Sequence, residues 1–117
     1  MPTGYYRFGV NSDDGFEVSV DPPYGVAGTN IVVGLLNDGR GAADSFFDVV
    51  VQTNGIYRFK VIFFEGWGDA ECEFFSVDTG TAQMTLINDT NASAIVSYRV
   101  VKPKITSIVK SGTNAVV

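Results

Sequence analysis

"GYYRFGVNSDDGFEVSV", residues 4–20, carries the pattern that decides the fold. Tyr6, Phe8 and Val10 recur at every second position, and beyond Asp13, Asp14 and Gly15 the rhythm resumes with Phe16, Val18 and Val20. Alternation of this kind turns one face of a strand inward and the other toward water. The two runs read as a hairpin turned at "NSDDG". A plain turn needs only one Asp before its Gly. The second, like-charged carboxylate asks for a cation or another partner.

Further along, the same alternation returns. "IVVGLL" (31–36), "SFFDVVVQT" (45–53), "IYRFKVIFFE" (56–65), "AECEFFSV" (70–77) and "AQMTLIND" (82–89) are strand candidates separated by turn-forming residues. In the third of these, Tyr57, Phe59, Val61 and Phe63 share one face, while Arg58 and Lys60 hold the other in water. Asn54-Gly55 is the strongest two-residue hairpin signal, because both central positions of such a turn take positive φ. "DPPYGVAGTN" (21–30) must be loop, and its length lets the chain cross to another sheet. Strand candidates at a spacing of about 8 to 12 residues describe a sandwich or barrel. The long loop and the lack of a regular meander favour an all-β, two-sheet antiparallel β-sandwich over residues 1–101.

Asn88 and Asp89 read as a turn cap, and residues 93–101 as an edge strand completing the sandwich. After Thr90 the chain carries four of its eight basic residues and no acid. Residues 102–117 read as a linker and the truncated start of a following β-domain.

Composition narrows the function. The chain has 117 residues, one domain's worth, with nine Phe, five Tyr and one Trp. Its net charge of −5 comes with no basic run, which argues against nucleic-acid binding. It contains no histidine, removing the Ser-His and Cys-His nucleophile arrangements and the usual zinc sites. The single cysteine, Cys72, cannot form an internal disulfide; its strand position beside Phe74 reads as a buried small hydrophobe. No apolar stretch reaches the roughly 20 residues of a membrane helix. The start has no signal-peptide character, so the sequence is expected to be part of a larger secreted or surface protein whose export signal lies elsewhere.

The order of four segments, "YYRFGVNSDDGFEVSV", "RGAADSFFDVVVQTNG", "GIYRFKVIFFEGWGDAECEFF" and "DTGTAQMTLIND", resembles the β-sandwich domain named after the anthrax protective antigen. That domain also occurs in yeast flocculins, fungal adhesins and bacterial surface proteins and glycosidases. The resemblance spans residues 4–89. In the sugar-binding adhesins of the family, two adjacent aspartates joined by a cis peptide bind one Ca²⁺, which implies Asp13 and Asp14 here. A second loop supplies an Asn side chain and backbone carbonyls. It falls on "FEGWGDAE", where Glu65 replaces the Asn and the carbonyls would come from about Trp67 and Asp69. Calcium takes roughly 6 to 8 oxygens, so vicinal sugar hydroxyls can complete its shell.

The resemblance therefore implies a non-catalytic, calcium-assisted carbohydrate-binding or adhesion module, outside the cell or on its surface, with a glycan as partner and monomeric in isolation. Several readings stand beside it. Asp13 and Asp14 could be an Asx turn with a solvated acid. Trp67, between two glycines, is either a core plug or an exposed platform for a sugar ring. In "NDGRGAAD" (37–44), Asp38 and Arg40 could face a ligand, although loop charges paired with one another are commoner. A spacer domain without a ligand is the first alternative. A glycoside hydrolase fragment using two of Glu65, Glu71, Glu73 and the aspartate pair is a more distant one.

Overall fold

The computed structural model describes residues 1–99, 109–111 and 114–116. Every regular element among them is a strand: β1 (Gly4–Asp13), β2 (Phe16–Val20), β3 (Ile31–Leu36), β4 (Ala43–Val51), β5 (Phe59–Phe63), β6 (Glu71–Val77), β7 (Met84–Leu86), β8 (Val109–Ser111) and β9 (Asn114–Val116). One antiparallel sheet has the order β4-β1-β6-β7, and a second the order β3-β2-β5. β8 and β9 pair with each other in a separate sheet. The all-β sandwich expected from the alternation is the fold of the chain.

The strands fall where the periodicity places them, but their partners differ from the expected ones. β1 and β2 do not form a hairpin: β1 pairs with β4 and β6, while β2 pairs with β3 and β5. Asp13, Asp14 and Gly15 carry the chain from one sheet to the other. Residues 21–30, expected to cross, instead return to the same sheet, because β2 and β3 are neighbours. Nor is Asn54-Gly55 a hairpin turn. β4 and β5 lie in different sheets, and neither residue has a positive φ. The Asn54 side chain accepts from the Thr3 N–H at 2.7 Å, and Gly55 exchanges backbone hydrogen bonds with Met1. The physical reason is the same in each case: a strand facing inward from either sheet alternates identically, so period-two patterning cannot distinguish a hairpin from an arch.

The interior is aromatic. Phe8 packs against Phe47 at 6.0 Å, Phe59 at 5.4 Å and Phe74 at 5.5 Å between ring centroids, joining β1 to β4, β5 and β6. Val10, Phe16 and Val18 fill the space beside them. On the outer face of the first sheet the Phe75 ring lies over Gly9, where a Cβ would collide with it, and meets Phe46 edge-on. Cys72 shares the parity of Phe74 but is exposed, correcting the buried reading. It stands opposite Ser12, on the stretch of β6 that β7, paired only with Phe75, Ser76 and Val77, leaves as the edge of the sheet.

The expected edge strand over 93–101 does not form within its described part: residues 93–99 contain no strand, and 100–101 lie outside the described residues. Ile95 instead accepts a hydrogen bond from the Asn88 N–H at 2.8 Å. The Asp89 carboxylate accepts from the Asn91 N–H, closing the turn read there. The boundary expected at 101/102 falls outside the described residues, as does most of 102–117.

The pairing registers fix which loops meet. The β1–β2, β3–β4 and β5–β6 connections each cross between the sheets, and all three emerge at the pole marked by the Ser12↔Ala43, Asp13↔Glu71, Phe16↔Leu36 and Phe16↔Phe63 pairs. Met1, bonded to Gly55, lies at the opposite pole, beside Ile56 and residues 96–98.

Candidate metal centre

Three crossing loops bring their backbones and carboxylates together around Asp14. This residue is 9% exposed, and its two oxygens are held from two sides. Oδ1 accepts the Arg40 backbone N–H at 2.8 Å from the β3–β4 loop, and Oδ2 accepts the Gly66 N–H at 2.7 Å from the β5–β6 loop. Gly66 suits its place because a Cβ there would stand 3.0 Å from Oδ2. Gly15 is required for a related reason: a side chain would enter the Phe64 ring and the Leu36 carbonyl. The Phe64 N–H donates to the Gly15 carbonyl at 3.1 Å, tying the first loop to the third.

Asp13 and Glu65 complete the centre. Each of Asp13, Asp14 and Glu65 offers a carboxylate oxygen within 4.8 Å of the others. The peptide bond between the aspartates is cis. Asp13 is half-buried and Glu65 exposed, so the group opens to solvent on one side. Partial loss of hydration, then repulsion from Asp14 and Asp13, pushes the Glu65 carboxyl above the usual carboxylate range. The nearby Trp67 backbone N–H pulls the other way, while Asp69 adds to the repulsion.

The remaining residues singled out in the sequence take distinct places. Trp67 is 94% exposed at the tip of the β5–β6 loop, which settles the choice between plug and projection in favour of projection. Gly68 beside it holds φ at +102°, a conformation that glycine adopts without strain. Asp69 is exposed on the same loop, and its carboxylate lies outside the three-member group. So do Glu71 and Glu73, at the start of β6. Asp38 is exposed and accepts from the N–H of Gly39.

Arg40 turns inward. Its Nε donates to the Ser12 carbonyl, Nη1 to Ser45 Oγ, and Nη2 to Ser12 Oγ and the Ala43 carbonyl. The sequence showed no sign of this clamp, nor of the two backbone N–H groups on Asp14. Main-chain donors leave no residue-type signature; the glycine of "EGWG" was the one available hint.

Hard cations prefer carboxylate oxygens, and the donor set fits such an ion: three converging carboxylates, one already oriented, with the nearby guanidinium engaged elsewhere. The chain matches no family model, no curated protein and no solved structure.

Proposed function

We propose that this chain is a non-catalytic carbohydrate-binding or adhesion module of a larger secreted or surface protein, holding Ca²⁺ with Asp13, Asp14 and Glu65 and binding a glycan beside it. One observation carries the reading: three carboxylates from two loops converge within 4.8 Å while backbone N–H groups keep Asp14 aimed into the group. Three negative charges at this spacing repel one another, and a divalent cation between them offsets that repulsion. The cation would supply coordination positions for sugar hydroxyls, since calcium takes roughly 6 to 8 oxygens and three carboxylates need not fill them.

Trp67 supports the glycan half of the proposal. An indole almost wholly in water, held out between Gly66 and Gly68 on the Glu65 loop, offers a flat apolar face on which a pyranose can stack. Calcium affinity in the class of extracellular modules, about 10⁻⁴ to 10⁻³ M, is expected. Neighbouring copies in a longer protein would supply avidity.

Calorimetric titration with CaCl₂ tests the metal, using the parent chain and an Asp13→Asn variant. A glycan array run with calcium and with EDTA then tests the sugar. Saturable calcium binding lost in Asp13→Asn, with array signals present only in calcium, is the expected outcome. Calcium binding with a silent array would leave a spacer domain with a stabilising ion, and absence of calcium binding would remove the proposal.

A further inference from the structure

Arg40, the cation of the β3–β4 loop, gives its guanidinium to uncharged acceptors and forms no ion pair with Asp13, Asp14 or Glu65, so charge pairing does not explain its place. Arg40 donates from its guanidinium to the Ser12 carbonyl (3.1 Å), Ser45 Oγ (2.9 Å), Ser12 Oγ (2.9 Å) and the Ala43 carbonyl (2.6 Å). Ser12 is fully buried and immediately precedes Asp13; Ala43 and Ser45 open β4. The side chain thus laces the β3–β4 loop to the end of β1 and the start of β4. Its own backbone N–H then meets Asp14 Oδ1 at 2.8 Å.

We infer that Arg40 is a positioning residue for the cation site, its guanidinium fixing the loop backbone so that Asp14 is oriented before any ion arrives. The inference rests on the calcium reading above. Each carboxylate oxygen has two lone pairs, so the N–H bonds from Arg40 and Gly66 leave Asp14 able to bind a metal with the others. Arginine suits the role through its planar fork, which reaches separate acceptors in fixed directions. A lysine ammonium donates from a single point and cannot span Ser12, Ala43 and Ser45 together. These bonds use four of the five guanidinium N–H donors and leave one on Nη1.

Charge and position predict opposite signs. Were the positive charge the main influence of Arg40, Arg40→Gln would raise calcium affinity and Arg40→Lys would leave it unchanged. Positioning predicts that both variants bind more weakly, by about 10- to 100-fold, as for other groups that orient metal ligands.

The experiment measures Ca²⁺ affinity by calorimetry and the number of waters on bound Tb³⁺ from its luminescence lifetimes in H₂O and D₂O. The proteins are the parent, Arg40→Lys, Arg40→Gln and the control Arg58→Gln, whose native side chain pairs with Asp21. Expected are weaker binding and at least one additional water on Tb³⁺ in both Arg40 variants, with the control unchanged. Should Arg40→Gln fail to fold, Ser45→Ala, which removes one acceptor of the fork, carries the same expectation with a smaller loss. Affinity of Arg40→Lys within twofold of the parent, tighter binding by Arg40→Gln, or weaker binding with an unchanged water count overturns the assignment. A parent that binds neither ion overturns the calcium reading, and this one with it.

Discussion

Asp14 and Asp13 are neighbours with different work to do, and replacing each separates the work. In Asp14→Ala two backbone N–H groups, on Arg40 and Gly66, lose their acceptor. Hydrogen bonds to a charged group contribute about 1.5–3 kcal/mol each, so the pair sets an upper range of about 3–6 kcal/mol. Two effects reduce it: the freed N–H groups lie near an open face where water can reach them, and repulsion from Asp13 and Glu65 is relieved. A net cost of about 2–3 kcal/mol in EDTA is expected; at roughly 2–8 °C per kcal/mol for domains near this size, Tm should fall by about 10 °C. Asp13→Asn removes a charge from the three-carboxylate group, so its Tm in EDTA should equal or slightly exceed that of the parent. Neither variant should respond to millimolar CaCl₂, whereas the parent's Tm should rise. Thermal unfolding followed by circular dichroism, in EDTA and then in calcium, reads all of this. An Asp14→Ala protein melting with the parent in EDTA would refute the view that Asp14 latches the three loops together.

Four further outcomes can be measured with the same material. The raised Glu65 carboxyl means that the folded metal-free protein holds this proton more tightly than the unfolded chain, so its stability falls as pH rises through that raised pKa. Glu65→Gln should flatten the fall of Tm with rising pH above the ordinary carboxylate range in EDTA; an unchanged slope would exclude Glu65 as its source. Asp48 behaves oppositely: hydrogen bonding from Arg7 holds its carboxyl down at about 2, giving stability that is present above the ordinary carboxylate range and lost as pH falls toward 2. Asp48→Asn should remove that acid-side loss, seen as a smaller drop in Tm on acidification. Trp67→Ala should leave Tm within about 2 °C of the parent, as for exposed positions generally, while abolishing calcium-dependent signals on a glycan array. Gly9→Ala presses a methyl into the Phe75 ring and should cost about 1–3 kcal/mol in denaturant unfolding, with calcium affinity unchanged.

The strands, and which residues face inward, could be read from the sequence because burial on one face imposes a period of two wherever it occurs. Phe8, Val10, Phe16 and Val18 are buried where that period places them. Their pairing could not be read. An arch between sheets and a hairpin within one place the same parity inward, and the two-residue Asn54-Gly55 signal gave way to hydrogen bonds with Thr3 and Met1. The like-charged pair at Asp13 and Asp14 stood out because a turn alone does not need it, and Glu65 was reached through the resemblance. Arg40 was legible as a residue but not in its direction. Where a loop guanidinium points depends on how two sheets sit across from each other, which local sequence does not encode. Cys72 shows the limit of parity in another way: a face can be inward at the middle of a strand and wet at its end.

The polarity of the sandwich has a practical corollary for anyone attaching it to a surface. Met1 and residues 96–98 lie at the pole away from the acidic loops, separated from them by the length of β1, about 33 Å at the usual rise for its 10 residues. A tag on the Met1 side therefore leaves Asp13, Glu65 and Trp67 facing the solution. Coupling through the exposed Cys72 thiol, across from Ser12 at the loop end, does the reverse and presses those loops toward the support. The same protein immobilised in these two ways should give different apparent capacities for any ligand of the loop pole, and the ratio of the two reports on which end does the binding.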